Sequence, residues 1–220
     1  MFVKICGITS EEDALLAVAC GADAVGFIFA PSRRQISPVT AGDIVKRLPT
    51  DVLTVGVFRD ESPKRVVETV QAAGLRAAQL SGHEAPEDTA WVRERIPFVI
   101  KGFAAGGAGV AEAARHRADV ILLDNAEPGS GRLFDWRLAS DVPKNARLLL
   151  AGGLTPDNVA EAVVHVRPWG VDVATGVEST PGRKDARKVR AFVAAAKAAA
   201  PPDDGDAGAA GSPYDWQADG

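Results

Sequence analysis

The sequence is poor in the side chains that mark metalloproteins and disulfide scaffolds. Its two cysteines, Cys6 and Cys20, fall in one opening strand–helix unit rather than in a framework, so a reducing, cytoplasmic setting is expected. Its three histidines, His83, His116 and His165, are scattered, which argues against a metal triad; no metal site is expected. No Ser-His-Asp arrangement stands out, and the first strand–helix turn, Cys6-Gly7-Ile8-Thr9, lacks a glycine-rich dinucleotide fingerprint. No run approaches the about 18 apolar residues of a membrane span. Met1 leads straight into a strand, not into a charged segment, an apolar run and a cleavage site, so neither membrane nor export is expected. A basic excess is missing too. Residues 200–220 hold five aspartates and no Lys, Arg or Glu, so removing them from the net charge of −4 leaves the body at +1. A near-neutral body without a basic stripe gives no reason to expect nucleic acid as a partner.

What is present is a regular alternation. With 220 residues and 46% hydrophobic content the chain can bury one sizeable core, which favours a single domain. Apolar β-branched runs predict strands near 2–6, 24–29, 52–58, 76–80, 97–101, 120–123, 147–151 and 170–174. Helices are predicted near 10–20, 38–48, 62–73, 86–95, 107–117, 156–165 and 185–199, with a short, weak one near 135–140. Ser10 before Glu11-Glu12-Asp13, and Ser37-Pro38, Ser62-Pro63 and Thr155-Pro156, read as helix starts; Gly21 and Gly74 read as helix stops. Eight such repeats over residues 1–199 match a single-domain (β/α)8 TIM barrel, ahead of an open doubly wound sheet. After Ala199 the pattern stops, and residues 200–220 read as a disordered acidic tail.

Active sites of such barrels lie at the C-terminal ends of the strands. There the glycines of Ala151-Gly152-Gly153-Leu154 after strand seven, and Gly176-Val177 after strand eight, let backbone N–H groups approach an anion, so these two loops read as a phosphate site. Strand one ends in Cys6, two residues from Lys4 on the same face, and strand six ends in Asp124, also on the inward face. Alone, Cys6 reads as a small core residue and Asp124 as a turn former. Together at one barrel mouth they are two titratable groups able to move protons on opposite sides of one substrate. Cys6 acts as a base only as a thiolate, and Lys4 is expected to lower its pKa. Strand eight adjoins strand one in a closed barrel, so Asp172 is expected to pair with Lys4, for either electrostatic or purely structural reasons. Of Arg33 and Arg34, one could fork onto a substrate carboxylate.

These positions fall in a series of ordered blocks. They are Lys4-Ile5-Cys6-Gly7-Ile8-Thr9, Gly21-Ala22-Asp23-Ala24-Val25-Gly26-Phe27, Leu122-Leu123-Asp124, Phe134-Asp135-Trp136, Ala151-Gly152-Gly153-Leu154-Thr155-Pro156-Asp157-Asn158-Val159, and Gly170-Val171-Asp172-Val173-Ala174-Thr175-Gly176-Val177-Glu178. In them the chain resembles the phosphoribosylanthranilate isomerases of tryptophan biosynthesis. The resemblance implies a cofactor-free Amadori rearrangement of N-(5-phosphoribosyl)anthranilate to 1-(2-carboxyphenylamino)-1-deoxyribulose 5-phosphate. It implies Asp124 as general acid, Cys6 as general base and Arg34 at the anthranilate carboxylate. The phosphate falls to the backbone amides of Gly152, Gly153, Gly176 and Val177, and Lys4 and Asp172 support the site. The expected partner is this small phosphoribosyl compound, and a monomer is expected rather than a dimer. The chain departs from the family where Gln79-Leu80-Ser81-Gly82 replaces Gln-Leu-His-Gly, with His83 two positions on, and where Ala174-Thr175 replaces a common Ser-Ser. The glycine-rich stretch after strand six remains as Gly129-Ser130-Gly131-Arg132. The nearest alternative, a histidine-pathway phosphoribosyl isomerase, calls for aspartate where this chain has Cys6. A phosphate-metabolite sensor would need the glycine loops but not Cys6 and Asp124 together.

Overall fold

The computed structural model describes residues 1–125 and 135–201. The Gly129-Ser130-Gly131-Arg132 stretch, Phe134 and the acidic tail beyond residue 201 lie outside the described residues.

Eight parallel strands close into one barrel: β1 (Phe2–Cys6), β2 (Ala24–Ile28), β3 (Leu53–Phe58), β4 (Ala77–Leu80), β5 (Phe98–Ala104), β6 (Val120–Asp124), β7 (Leu148–Leu150) and β8 (Gly170–Val173). Among the described residues six α-helices lie between and after them: α1 (Glu11–Ala19), α2 (Pro38–Val45), α3 (Pro63–Ala72), α4 (Pro86–Arg93), α5 (Val159–Val166) and α6 (Ala186–Ala198). The expected (β/α)8 barrel is therefore the observed architecture.

The two-residue period of β1 sorts its side chains. Val3 and Ile5 are fully buried in the layer between strands and helices, with Ala14, Ala17, Val189 and Phe192. Phe2 belongs instead to a second apolar cluster inside the barrel, with Leu53, Val55, Ile100, Leu122 and Leu149. Phe2 stacks on Trp169 at 4.4 Å between ring centroids, an aromatic contact beneath the strand starts. Lys4 and Cys6 follow Phe2 on the inward face. The closure of β8 onto β1 sets Asp172 level with Lys4, and β2 sets Gly26 level with Cys6.

Several local signals act as the sequence implies. The Ser10 hydroxyl accepts from the Asp13 amide and that of Ser37 from the Thr40 amide, capping α1 and α2. Gly21 and Gly74 follow α1 and α3 with φ of +89° and +65°. Other elements differ. The helix predicted over 107–117 is a 3-10 helix, Val110–His116, ended by Arg117 in the left-handed region, and the weak one is the 3-10 helix Trp136–Asp141. α5 begins at Val159 rather than at Pro156, because Pro156–Asn158 form a turn in which Asn158 Oδ1 accepts from the Thr155 amide at 2.8 Å. A short antiparallel hairpin, β9 (Glu178–Thr180) with β10 (Arg183–Lys184), follows β8 and was not anticipated.

The final helix holds the barrel's seam. Its Phe192 is 0% exposed in the outer layer beside β1, so Phe192→Ala should lower stability by about 3–5 kcal/mol in urea unfolding. Val39→Ala, at a residue 75% exposed, should stay within about 0.5 kcal/mol of the parent; equal losses would contradict this packing.

Candidate active site

A cavity of about 670 Å³ opens at the C-terminal ends of the strands. Cys6, Arg34, Gln79, Lys101, Asp124 and Asp172 line it together, among apolar side chains that include Ile28, Val57, Phe103 and Leu122. β1 and β6, which carry the two candidate proton-transfer groups, stand three strands apart around the ring.

The floor of the site is an ion pair. Lys4 Nζ lies 2.8 Å from Asp172 Oδ1, with side-chain exposures of 0% and 10%. Burial alone would pull the Lys4 pKa down, but the Asp172 carboxylate and the Cys6 sulfur outweigh it, and Lys4 is held above its ordinary range as a cation. The Cys6 thiol sits in the same enclosure. A Cβ at Gly26 would come within 2.9 Å of Cys6 Sγ and 3.2 Å of Lys4 Nζ, so no larger residue leaves room for the pair. Gly7, at φ +74°, removes a side chain that would otherwise meet Arg34 as it crosses beside Cys6.

The expectation that Lys4 lowers the Cys6 pKa holds only in part. Burial is the largest influence and raises it; Lys4 and Lys184 pull it down, Asp172 pushes it up, and the net displacement is upward. Asp124 is displaced in the same sense, to about 6. Burial raises it most, the Asn125 amide opposes, Asp172 raises it further and Lys4 lowers it. The Asn125 amide donates to Asp124 Oδ1 at 2.7 Å. Both groups are thus displaced toward their neutral forms in the free cavity.

Arg34 is fixed rather than free. Its Nε and Nη2 donate to the two carboxylate oxygens of Glu178 at 2.7 and 2.8 Å, and Nη2 also donates to Thr175 Oγ1 at 3.1 Å. This leaves Nη1 as the unengaged edge of the guanidinium among the described residues. The glycine loops flank the mouth. Gly152 and Gly153 adopt φ of +81° and +70° after β7. Gly176 abuts the Leu154 carbonyl so closely that any Cβ would collide with it, which brings the two loops together. The cavity reaches the end of β8 at Ala174 and is not lined by Gly152, Gly153, Gly176 or Val177.

Other strand-end residues take supporting parts. Lys101, 1% exposed, donates to Glu84 Oε2 at 2.9 Å and to the Gly82 carbonyl at 2.8 Å. His83 is 89% exposed on its side chain and faces Asp60, while Ser81 accepts from Gln79 Nε2; neither reproduces an inward-facing histidine. Sequence reasoning gave no part to Glu84, Glu178 or Lys184. Glu178 was visible at the end of the strand-eight block, but Lys184 lies beyond a turn whose return path no local pattern announces.

Comparison with known proteins agrees with this geometry. A family model described as N-(5'-phosphoribosyl)anthranilate isomerase matches residues 3–195. The N-(5'-phosphoribosyl)anthranilate isomerase of Desulforudis audaxviator is 49% identical over 204 residues, covering 90% of this chain and 98% of its own. The phosphoribosyl anthranilate isomerase of Thermus thermophilus superposes with a TM-score of 0.85 at 44% identity, covering 90% and 99% of the two chains. Another isomerase of this type was solved with reduced 1-(o-carboxyphenylamino)-1-deoxyribulose 5-phosphate, and matches with a TM-score of 0.78 at 41% identity over 90% and 99% of the chains. The Thermotoga maritima enzyme is dimeric, and monomers generated from it match with a TM-score of 0.79 at 41% identity over the same shares.

The raised Asp124 pKa has a consequence for stability. The native carboxyl, at about 6, binds its proton more tightly than an unfolded aspartate at about 3.9, so this contribution is complete below pH 4 and lost as pH rises through 6. Asp124→Asn should therefore stabilise the protein by roughly 2–3 kcal/mol at pH 7 and by little at pH 4. Urea unfolding at the two pH values checks this, and a gain independent of pH would contradict it.

Proposed function

The chain belongs to the N-(5'-phosphoribosyl)anthranilate isomerase family and is an aldose–ketose isomerase of tryptophan biosynthesis; from that premise we propose how its residues carry the reaction. The substrate is N-(5-phosphoribosyl)anthranilate and the product 1-(2-carboxyphenylamino)-1-deoxyribulose 5-phosphate. The observation that carries the assignment is that Cys6 and Asp124 line one cavity over the Lys4–Asp172 pair, with Asp124 raised to about 6.

Asp124, protonated, gives its proton to the furanose oxygen, and the ring C–O bond breaks as the C1–N bond becomes an iminium. Cys6, as thiolate, removes the proton from C2, and that electron pair forms the C1–C2 double bond of an enolamine. Tautomerisation then places a proton on C1 and takes one from the C2 hydroxyl, which restores both groups. No electrons leave the substrate, so the scheme requires no redox cofactor. Lys4 stabilises the thiolate as it forms. Arg34, held by Glu178, presents its free edge to the anthranilate carboxylate, and the amides of Gly152, Gly153, Gly176 and Val177 take the phosphate. The apolar lining accommodates the aromatic ring.

Oligomeric state and compartment belong to the same reading: a monomer in the cytoplasm. Among the described residues no helix is long and apolar enough to cross a membrane. The large apolar side chains exposed there, Leu15, Val39 and Val164, sit on three different helices rather than on one.

Turnover of freshly generated phosphoribosylanthranilate, followed by loss of anthranilate fluorescence, tests the roles. Cys6→Ala and Asp124→Asn should each retain well under a tenth of the parent activity while still folding; retention above a tenth by both would remove the acid–base assignment. The pH profile is equally informative. The reactive form pairs protonated Asp124 with ionised Cys6, a minority whose population rises to about pH 6, is level above it, and falls only where Cys6 ionises. Burial keeps that last limb above the ordinary thiol value of 9.0. A kcat/KM still climbing between pH 7 and 9 would contradict these assignments.

A further inference from the structure

Lys184 transfers no proton in the acid–base scheme, yet its surroundings are those of a group with a task. Its side chain is 0% exposed. It lies on β10, opposite Glu178 in the hairpin register. The ammonium donates to the Cys6 carbonyl at 2.6 Å, to the Ala174 carbonyl at 3.2 Å and to Glu178 Oε1 at 3.2 Å, which uses all its donors. It thus ties together the ends of β1 and β8 and the carboxylate that holds Arg34.

The charges of this cluster set a problem that Lys184 resolves. Arg34 and Glu178 alone form a bidentate pair of zero net charge, and such a pair offers little field to a further anion. The side chains of Arg34, Glu178 and Lys184 are only 11%, 4% and 0% exposed, so water screens them weakly and their sum matters. With Lys184 the cluster carries one net positive charge. Burial would raise the Glu178 pKa, but Arg34 and Lys184 outweigh it and keep the carboxylate ionised.

We propose that Lys184 is a positioning residue that keeps Arg34 competent to bind the aromatic carboxylate of the substrate: it neutralises Glu178, so that Glu178 orients the guanidinium without cancelling its charge. The proposal rests on Arg34 as the carboxylate anchor. It also accounts for the length of chain beyond β8, since the hairpin delivers an ammonium to a point that the strand ends themselves do not supply.

The test compares two ligands by calorimetry. One is reduced 1-(2-carboxyphenylamino)-1-deoxyribulose 5-phosphate; the other is the matching phenylamino compound without the carboxylate. Lys184→Met should weaken the carboxylated ligand about tenfold or more and leave the other within about twofold. Glu178→Gln with Lys184→Met leaves Arg34 as the one charge of the cluster, the same net charge as in the parent, and there the preference for the carboxylated ligand should lie within about threefold of the parent's. That comparison stands even where Lys184→Met by itself does not fold. Equal weakening of both ligands by Lys184→Met, no weakening of either, or a selective loss of about tenfold against the parent persisting in the double variant would each overturn the proposal. Arg34→Met separates the premise from the inference: if it does not selectively weaken the carboxylated ligand, the Arg34 assignment itself fails, and if it does while Lys184→Met does not, only Lys184 is misassigned.

Discussion

The ion pair between Lys4 and Asp172 is the constraint on which the site depends. A lysine with no exposed surface inside a barrel is tolerable only with a close anion, and removing one partner of such a pair typically costs about 3–5 kcal/mol. The anion exists because the barrel closes: only the return of β8 to β1 sets Asp172 level with Lys4, 168 residues away in the chain. Once the pair is in place, it fixes the electrostatics of everything above it. Lys4 pulls the Cys6 thiol toward ionisation, and Asp172 pushes both Cys6 and Asp124 toward their neutral forms. Gly26 is the spatial counterpart, since its missing side chain is the room that Sγ and Nζ occupy.

The resting site is therefore set for the acid and against the base. A carboxyl near 6 can donate a proton close to neutrality, which an ordinary aspartate cannot. The thiol is displaced the other way from what catalysis needs, so its ionised form is scarce in the free site. Two further lysines moderate the enclosure. Lys184 lowers the Cys6 pKa from the side of β10, and Lys101 is satisfied by Glu84 and backbone carbonyls at the far wall. The result is a mouth with several buried cations: Lys4 is held by Asp172, Lys101 by Glu84, and Lys184 and Arg34 share Glu178.

The strands were legible because parallel strands covered by helices are continuous apolar runs, and Val3, Ile5, Val25 and Phe27 leave little else to read. Cys6, Asp124, Lys4 and Asp172 were legible because strand alternation and barrel closure together specify which side chains meet. The helical segments after β5 and β6 were legible only in outline. Val110–His116 and Trp136–Asp141 have the composition of helices but wind as 3-10 turns, packed on a smaller apolar patch of Ile121, Leu123 and Leu148. Lys184 was not legible at all. Its partners are Cys6, Ala174 and Glu178, and the first lies 178 residues away, so no spacing rule connects them. The same holds for Glu84 against Lys101, a pair formed only when the loop after β4 folds back over β5.

The most direct test of this account is a thiolate titration of the free protein in a Cys20→Ser background, following absorbance near 240 nm against pH. Burial outweighing Lys4 and Lys184 predicts that the Cys6 thiolate appears only above the ordinary value of 9.0. A midpoint at or below pH 7 would contradict it, and would mean that the lysines, not the enclosure, set the state of the base.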